Sequence, residues 1–286
     1  MTDYRIVPRD AHDILGEGPV WSARRNALLW VDIMGQQLWS LSLADDRITS
    51  WPMPERIGWV VERAGRDDLL AGFKSGIVTL ALDPLCIAPL HRPEPDRPHN
   101  RLNDAKVDAA GRLWFGSKDD RDQDASGALY RLDPGGTPVR IDDGYKVTNG
   151  PAFSPDGRWL YHTDSGLGRV YRFALGDDGS LGPRALFIQF ETGWGSPDGM
   201  TIDADGHLWI AHWGGGRISR FDPAGRLVDS VALPATNITS CAFAGPGLDR
   251  LFATSSTIDA EGEPDAGALF EIRTGVIGLP PHCHAG

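Results

Sequence analysis

The chain has 286 residues, 35 of them Gly and 21 Pro, and a formal net charge of −11. That balance argues against nucleic acid, which rewards a basic groove, and against an anionic membrane surface. Cys86, Cys241 and Cys283 leave an odd count for a disulfide framework, the N-terminus lacks a signal peptide's apolar core, and no apolar run approaches the roughly 20 residues that span a bilayer, so a soluble cytoplasmic protein is expected.

Tyr4-Arg5-Ile6-Val7 reads as a short strand ahead of the first repeat, suited to closing a ring by pairing into the last one. From there one unit recurs: a turn leads into an apolar strand, and after a further glycine an alternating strand follows. The phase is marked by Trp30, Leu70, Trp114, Leu160, Trp209 and Phe252, spaced 40 to 49 residues apart. That is the period of a four-stranded blade, and six copies predict an all-β, six-bladed β-propeller forming a single domain over 1–286.

Ahead of each marker the chain enters the innermost strand of its blade. Glu17 stands between two glycines in Leu15-Gly16-Glu17-Gly18-Pro19, about 13 residues before Trp30. The second unit has Ile57-Gly58-Trp59 at this point, which offers no ligand; Trp59 reads as pocket wall or core. After a Pro-rich surface loop over 91–100, Arg101 and Asn103 enter the third unit and share a face by alternation. Ser117–Ser126 reads as a polar loop over the channel, carrying Lys118. Asn149 in Thr148-Asn149-Gly150-Pro151 and Asp198 in Pro197-Asp198-Gly199 have the phase of Asn103, about 11 residues ahead of their markers.

Glu17, Asn103, Asn149 and Asp198 therefore converge where the inner strands open onto the central channel. Carboxylates and carboxamides there form a hard, oxygen-rich axial site for one divalent cation, whether calcium, magnesium, manganese, zinc or ferrous iron. Without a cation Glu17 and Asp198 would repel each other. His162 and Asp164 read as satisfied polar residues of the core or channel. Ser240 has no nucleophile elbow around it, and His282-Cys283-His284 reads as a C-terminal tail rather than a zinc site.

Leu15-Gly16-Glu17-Gly18-Pro19-Val20-Trp21, Arg101-Leu102-Asn103-Asp104-Ala105-Lys106-Val107-Asp108, Asn149-Gly150-Pro151, Pro197-Asp198-Gly199-Met200 and Thr239-Ser240-Cys241-Ala242-Phe243 together resemble the family of senescence marker protein-30 (regucalcin), gluconolactonase and related sugar lactonases. The resemblance implies an axial metal on Glu17, Asn149 and Asp198, and substrate contacts from Arg101 and Asn103. One departure stands out: Ser117-Lys118 replaces the Thr-Met common in relatives, which makes Lys118 a candidate substrate contact. The expected activity is metal-dependent hydrolysis of a small-molecule sugar (aldono) lactone, with Asp198 as both ligand and general base. The alternatives are a non-catalytic calcium- or partner-binding propeller and a hydrolase for another lactone or ester class. Oligomeric state is left open, and a monomer satisfies the sequence.

Overall fold

The computed structural model describes residues 3–286. Strand β1 (Asp3–Ile6) comes first, followed by the blade β2 (Gly16–Ser22), β3 (Ala27–Asp32), β4 (Gln37–Ser42) and β5 (Ile48–Pro52). The second blade is β6 (Ile57–Glu62), β7 (Leu69–Phe73), β8 (Gly76–Leu82) and β9 (Leu85–His91); the third is β10 (Asn100–Val107), β11 (Leu113–Asp119), β12 (Gly127–Leu132) and β13 (Val139–Tyr145). The fourth is β14 (Thr148–Phe153), β15 (Trp159–Asp164), β16 (Arg169–Ala174) and β17 (Ala185–Gln189), and the fifth is β18 (Ser196–Ile202), β19 (Leu208–Trp213), β20 (Arg217–Phe221) and β21 (Leu227–Ala232). In the sixth, β22 (Ile238–Ala244), β23 (Arg250–Ser255) and β24 (Phe270–Arg273) take β1 as their fourth strand, with Tyr4 opposite Ile272. The predicted β-propeller and its closure are both present, and the closing strand removes the open edge of the last sheet.

First strands touch one another around the ring in the order β2, β6, β10, β14, β18, β22 and back to β2. The six phase markers are all fully buried on the second strands. Each of the six apolar clusters spans two neighbouring blades; one joins Trp30 and Leu41 to Phe252 and Leu269 across the closing interface. A buried tryptophan removes about 150–250 Å² from water, gross stabilisation of roughly 4–6 kcal/mol per ring. Adhesion between blades therefore holds the ring and fixes its axis.

Two local devices repeat. The first is an aspartate six residues before a marker tryptophan. Asp108 accepts from the turn amides of Ala110 (2.9 Å) and Arg112 (3.0 Å) and from Trp114 Nε1 (2.8 Å). Asp203 does the same with Asp205 (3.0 Å), His207 (2.9 Å) and Trp209 Nε1 (2.9 Å). One carboxylate thus ties a solvent-facing hairpin to a core indole.

The second device is a register shift near the start of every first strand: after Glu17, Ile57, Leu102, Asn149, Pro197 and Ile238 the pairing slips before it resumes. Such a bulge re-aims side chains at the mouth of the ring. Gly150 has φ +72°, a conformation that glycine adopts without cost, and a Cβ at Gly199 would fall inside the Ser240 side chain.

Past β24 the chain crosses the far face as a strap. Ala204 N donates to Ile277 O (2.9 Å), His284 N to Glu62 O (2.8 Å) and Ala285 N to Gly111 O (3.1 Å), while His284 Nδ1 lies 2.9 Å from Gly111 O. The His282-Cys283-His284 stretch is therefore a buried tie between blades at His284, rather than a free tail.

Candidate active site

Glu17, Arg101, Asn103, Asn149 and Asp198 all lie at the entrance ends of first strands, and all are buried. Hydrogen bonds link three of them. Arg101 Nη1 donates to Asn103 Oδ1 (2.5 Å), and Asn103 Nδ2 donates to Asn149 Oδ1 (2.9 Å) and to the Thr148 carbonyl. Asn149 Nδ2 donates to Ser165 Oγ (2.9 Å), which fixes its carboxamide with the oxygen toward Asn103. Arg101 is not a surface residue. Its Nε donates to Asp120 Oδ1 (3.1 Å), and Asp120 also holds Lys74 (2.8 Å) and Arg56.

Lys118 sits directly opposite Arg101 in the β10–β11 register. Its ammonium is buried and pairs with Asp122. The expected loop over Ser117–Ser126 is corrected here, because Ser117–Asp119 belong to β11. Asp119 then gathers the amides of Arg121 (3.1 Å), Gln123 (3.1 Å) and Asp124 (3.0 Å), which shapes the turn beyond it.

The electrostatics concentrate at the same mouth. Burial, then the charges of Asp198 and Asp104, hold the Glu17 carboxyl well above its ordinary range. Burial and Asp104 do the same to Asp198, opposed by Lys118 and Arg101. Among the described residues none of Glu17, Asp104 and Asp198 has an ion-pair partner within reach, and Asp198 Oδ1 and Asp104 Oδ2 accept no hydrogen bond. Buried carboxylates in this condition are costly unless a cation neutralises them. The donor set of two carboxylates and a carboxamide oxygen fits a hard divalent ion.

An acidic group elsewhere in the ring, Asp203, Asp205 and His207, brings its ligand atoms within 4.8 Å of one another. Asp203 is saturated by two amides, Trp209 Nε1 and Arg220, so this group serves the turn. A cavity of about 960 Å³ opens at the opposite end of the channel beneath the strap. Its charged lining is largely self-paired, as in Arg24–Glu62 and Arg112–Asp108. Asp198, buried and with Oδ1 unpartnered, lies at the other mouth.

Residues 15–257 match the SMP-30/Gluconolactonase/LRE-like region. The chain belongs to this family. It is 35% identical over 280 residues to a 6-deoxy-6-sulfogluconolactonase of Pseudomonas putida, covering 96% of both chains. It is 37% identical over 284 residues to the regucalcin of Danio rerio, covering 95% of each. The solved calcium-binding protein regucalcin from Agrobacterium tumefaciens superposes with a TM-score of 0.94 at 26% identity, over 100% of this chain and 98% of that one.

Within this SMP-30/gluconolactonase family member, sequence reasoning missed Asp104. It lies with Asn103 in the bulge between Leu102 and Ala105, where the other blades skip Gly18-Pro19, Gly58, Gly150-Pro151, Asp198-Gly199 and Thr239, and a second acid beside Asp198 in this otherwise uncharged set was the available signal. Burial raises its carboxyl to about 6, opposed by Lys106 and by the Ala105 amide (2.7 Å). Asp120, the anchor of Arg101, was also missed. Trp59 is core, packed 6.1 Å from Phe115. Asp164 is satisfied as expected by the amides of Lys146 and Val147. His162 is not: neither ring nitrogen has a partner, and the ring packs edge-on against Tyr145 at 4.9 Å.

Proposed function

We propose that this protein hydrolyses a sugar (aldono) lactone to its aldonic acid with one divalent cation held by Glu17, Asn149 and Asp198. The observation that carries the reading is the gathering of buried oxygen donors from three blades at one mouth of the ring, with Asp198 Oδ1 left without a partner. The likeness to a 6-deoxy-6-sulfogluconolactonase supports the reaction class.

A divalent cation at these oxygens supplies Lewis-acid stabilisation of negative charge on the lactone carbonyl oxygen. Calcium, magnesium, manganese, zinc and ferrous iron all suit the donors in kind. Asp198 acts as general base and takes a proton from the attacking water. The water oxygen bonds to the carbonyl carbon, the ring C–O bond breaks, and the proton passes from Asp198 to the departing ring oxygen, leaving a hydroxy acid. Arg101, held by Asp120 and Asn103, presents a fixed cation to the oxygens of substrate and product, and Asn103 is locked by Thr148 and Asn149. Burial of these donors means that little reorganisation is needed when charge develops.

The test is Asp198→Asn, which keeps the shape and one ligating oxygen. Turnover of an aldonolactone panel should fall by roughly two or more orders of magnitude while part of the cation affinity survives. Full recovery of rate in excess metal would leave Asp198 as a ligand only.

A further inference from the structure

We infer that the lactone taken by this site carries a second, anionic group, a sulfonate, phosphate ester or carboxylate, read by Lys118 together with Arg101. The inference rests on the lactonase reading above and names its substrate class.

Lys118 and Arg101 are Cα partners across β10 and β11, so two cations stand side by side in a buried mouth. Like charges at directly opposed strand positions are destabilising unless an anion sits between or beside them. Arg101 has Asp120, which it shares with Arg56 and Lys74. Within ion-pair distance Lys118 has, among the described residues, only Asp122, whose side chain is 61% exposed and whose backbone has φ +57°, at the tip of a turn. A pair with one solvated partner is weak and exchangeable. Within ion-pair distance Arg56, Lys74, Arg101 and Lys118 meet Asp120 and Asp122 at this mouth, while Glu17 and Asp198, which also attract Arg101 and Lys118, are the carboxylates that the proposed divalent cation would neutralise. Burial, with Arg101 close by, also depresses the Lys118 ammonium below the usual lysine range, a cost that an incoming anion would relieve.

The other flank of Arg101 has the same bias. A small pocket of about 240 Å³ is lined by Lys74, Arg92, Arg97 and Arg101 against Glu55 and Glu94. Both acids are engaged locally, Glu55 by Ser75 N (2.9 Å) and Oγ, Glu94 by Ser117 Oγ and Tyr130 Oη, each at 2.8 Å, and by Arg97 (3.7 Å), which leaves Arg92 as the lining cation without an ion pair among the described residues. Neutral hydroxyls would be served by uncharged donors and acceptors. A surplus of half-desolvated cations is matched instead by a substituent with a formal negative charge.

The experiment measures kcat/KM for a neutral hexonolactone and for its 6-phosphate, 6-sulfonate and 6-carboxylate analogues, on wild type, Lys118→Met and Lys118→Arg. We expect wild type to prefer at least one anionic lactone by tenfold or more, with that head group identified by which arm wins. The anionic-to-neutral ratio should fall at least tenfold in Lys118→Met and be partly kept in Lys118→Arg. The wild-type rate with the preferred anion should fall with added salt more steeply than with the neutral lactone. Calorimetric titration with the corresponding ring-opened acid supplies a readout independent of turnover, with Kd rising about tenfold in Lys118→Met. Neutral lactones hydrolysed as well as every anionic one, or an unchanged ratio in Lys118→Met, would overturn the inference and leave the lactonase reading intact. No hydrolysis of any lactone under any supplied cation would remove both.

Discussion

Two acidic groups lie in this ring, and the structure gives them opposite physics, which Asp203→Asn makes measurable. Asp203 is fully buried and accepts four hydrogen bonds, from the amides of Asp205 and His207 on Oδ1 and from Trp209 Nε1 and Arg220 Nε (2.8 Å) on Oδ2. An asparagine turns one acceptor into a donor, so either the amide pair or the indole and guanidinium pair meets a donor head-on. The turn amides can find water, because Asp205 is exposed, but the Trp209 ring is completely buried. An orphaned buried donor costs about 1–3 kcal/mol, and a lost charge-assisted bond to the partly exposed Arg220 adds about 1 kcal/mol. The expected destabilisation is about 3 kcal/mol, a fall in Tm of roughly 6 °C for a chain of this size. Urea and thermal unfolding with and without chelator measure it, and the loss should be the same in both. A cost below about 1 kcal/mol, or one abolished by chelator and restored by metal, would refute the assignment of Asp203 to the turn.

Glu17→Gln should behave in the opposite way: metal-free protein melts no lower than wild type, since one repelling carboxylate is gone, while the gain of about 2.7 kcal/mol expected for wild type at a hundredfold excess of cation over its Kd is largely lost together with lactone turnover. Equilibrium dialysis showing stoichiometric metal in a fully active Glu17→Gln would remove Glu17 from the ligand set. His162 makes a pH prediction. Burial, with a contribution from Arg184, presses its pKa from 6.5 to about 3, so below about pH 6.5 the unfolded chain takes up a proton that the folded one refuses, and stability is present above that pH and lost as pH falls toward 3. The loss at pH 5 is about 2 kcal/mol, and His162→Phe should flatten that part of the stability curve measured by denaturant titration; an unchanged slope would mean that the imidazole finds its proton in the folded state.

Blade count, closure and the four channel-mouth positions Glu17, Asn103, Asn149 and Asp198 were legible because a repeat converts a single residue into a column. Trp30, Leu70, Trp114, Leu160, Trp209 and Phe252 need no individual argument once their phase is known, and their shared burial follows from it. Asp104 escaped for a physical reason. Strand alternation sends neighbours to opposite faces, so a reading that put Asn103 in the channel put Asp104 outside it. The slip between Leu102 and Ala105 suspends alternation at that point, and both side chains are buried.

The strand around Lys118 was misread as a loop by a related route. A run of charged residues after Phe115-Gly116 has the composition of a surface loop, and composition reports solvent only when the alternative is an apolar core. Here the alternative is a polar channel. β11 continues to Asp119 because its partner β10 begins at Asn100, and the added pairs set Lys118 against Arg101 and Asp119 against Asn100. Arg101 and Lys118 thus lie where strand pairing outruns hydrophobic patterning. The inward-facing charges there stay buried because other charges face them across the mouth. That same condition is why the proposed reading of an anionic lactone rests on Lys118 and its cross-strand partner Arg101 rather than on the oxygen donors Glu17, Asn149 and Asp198.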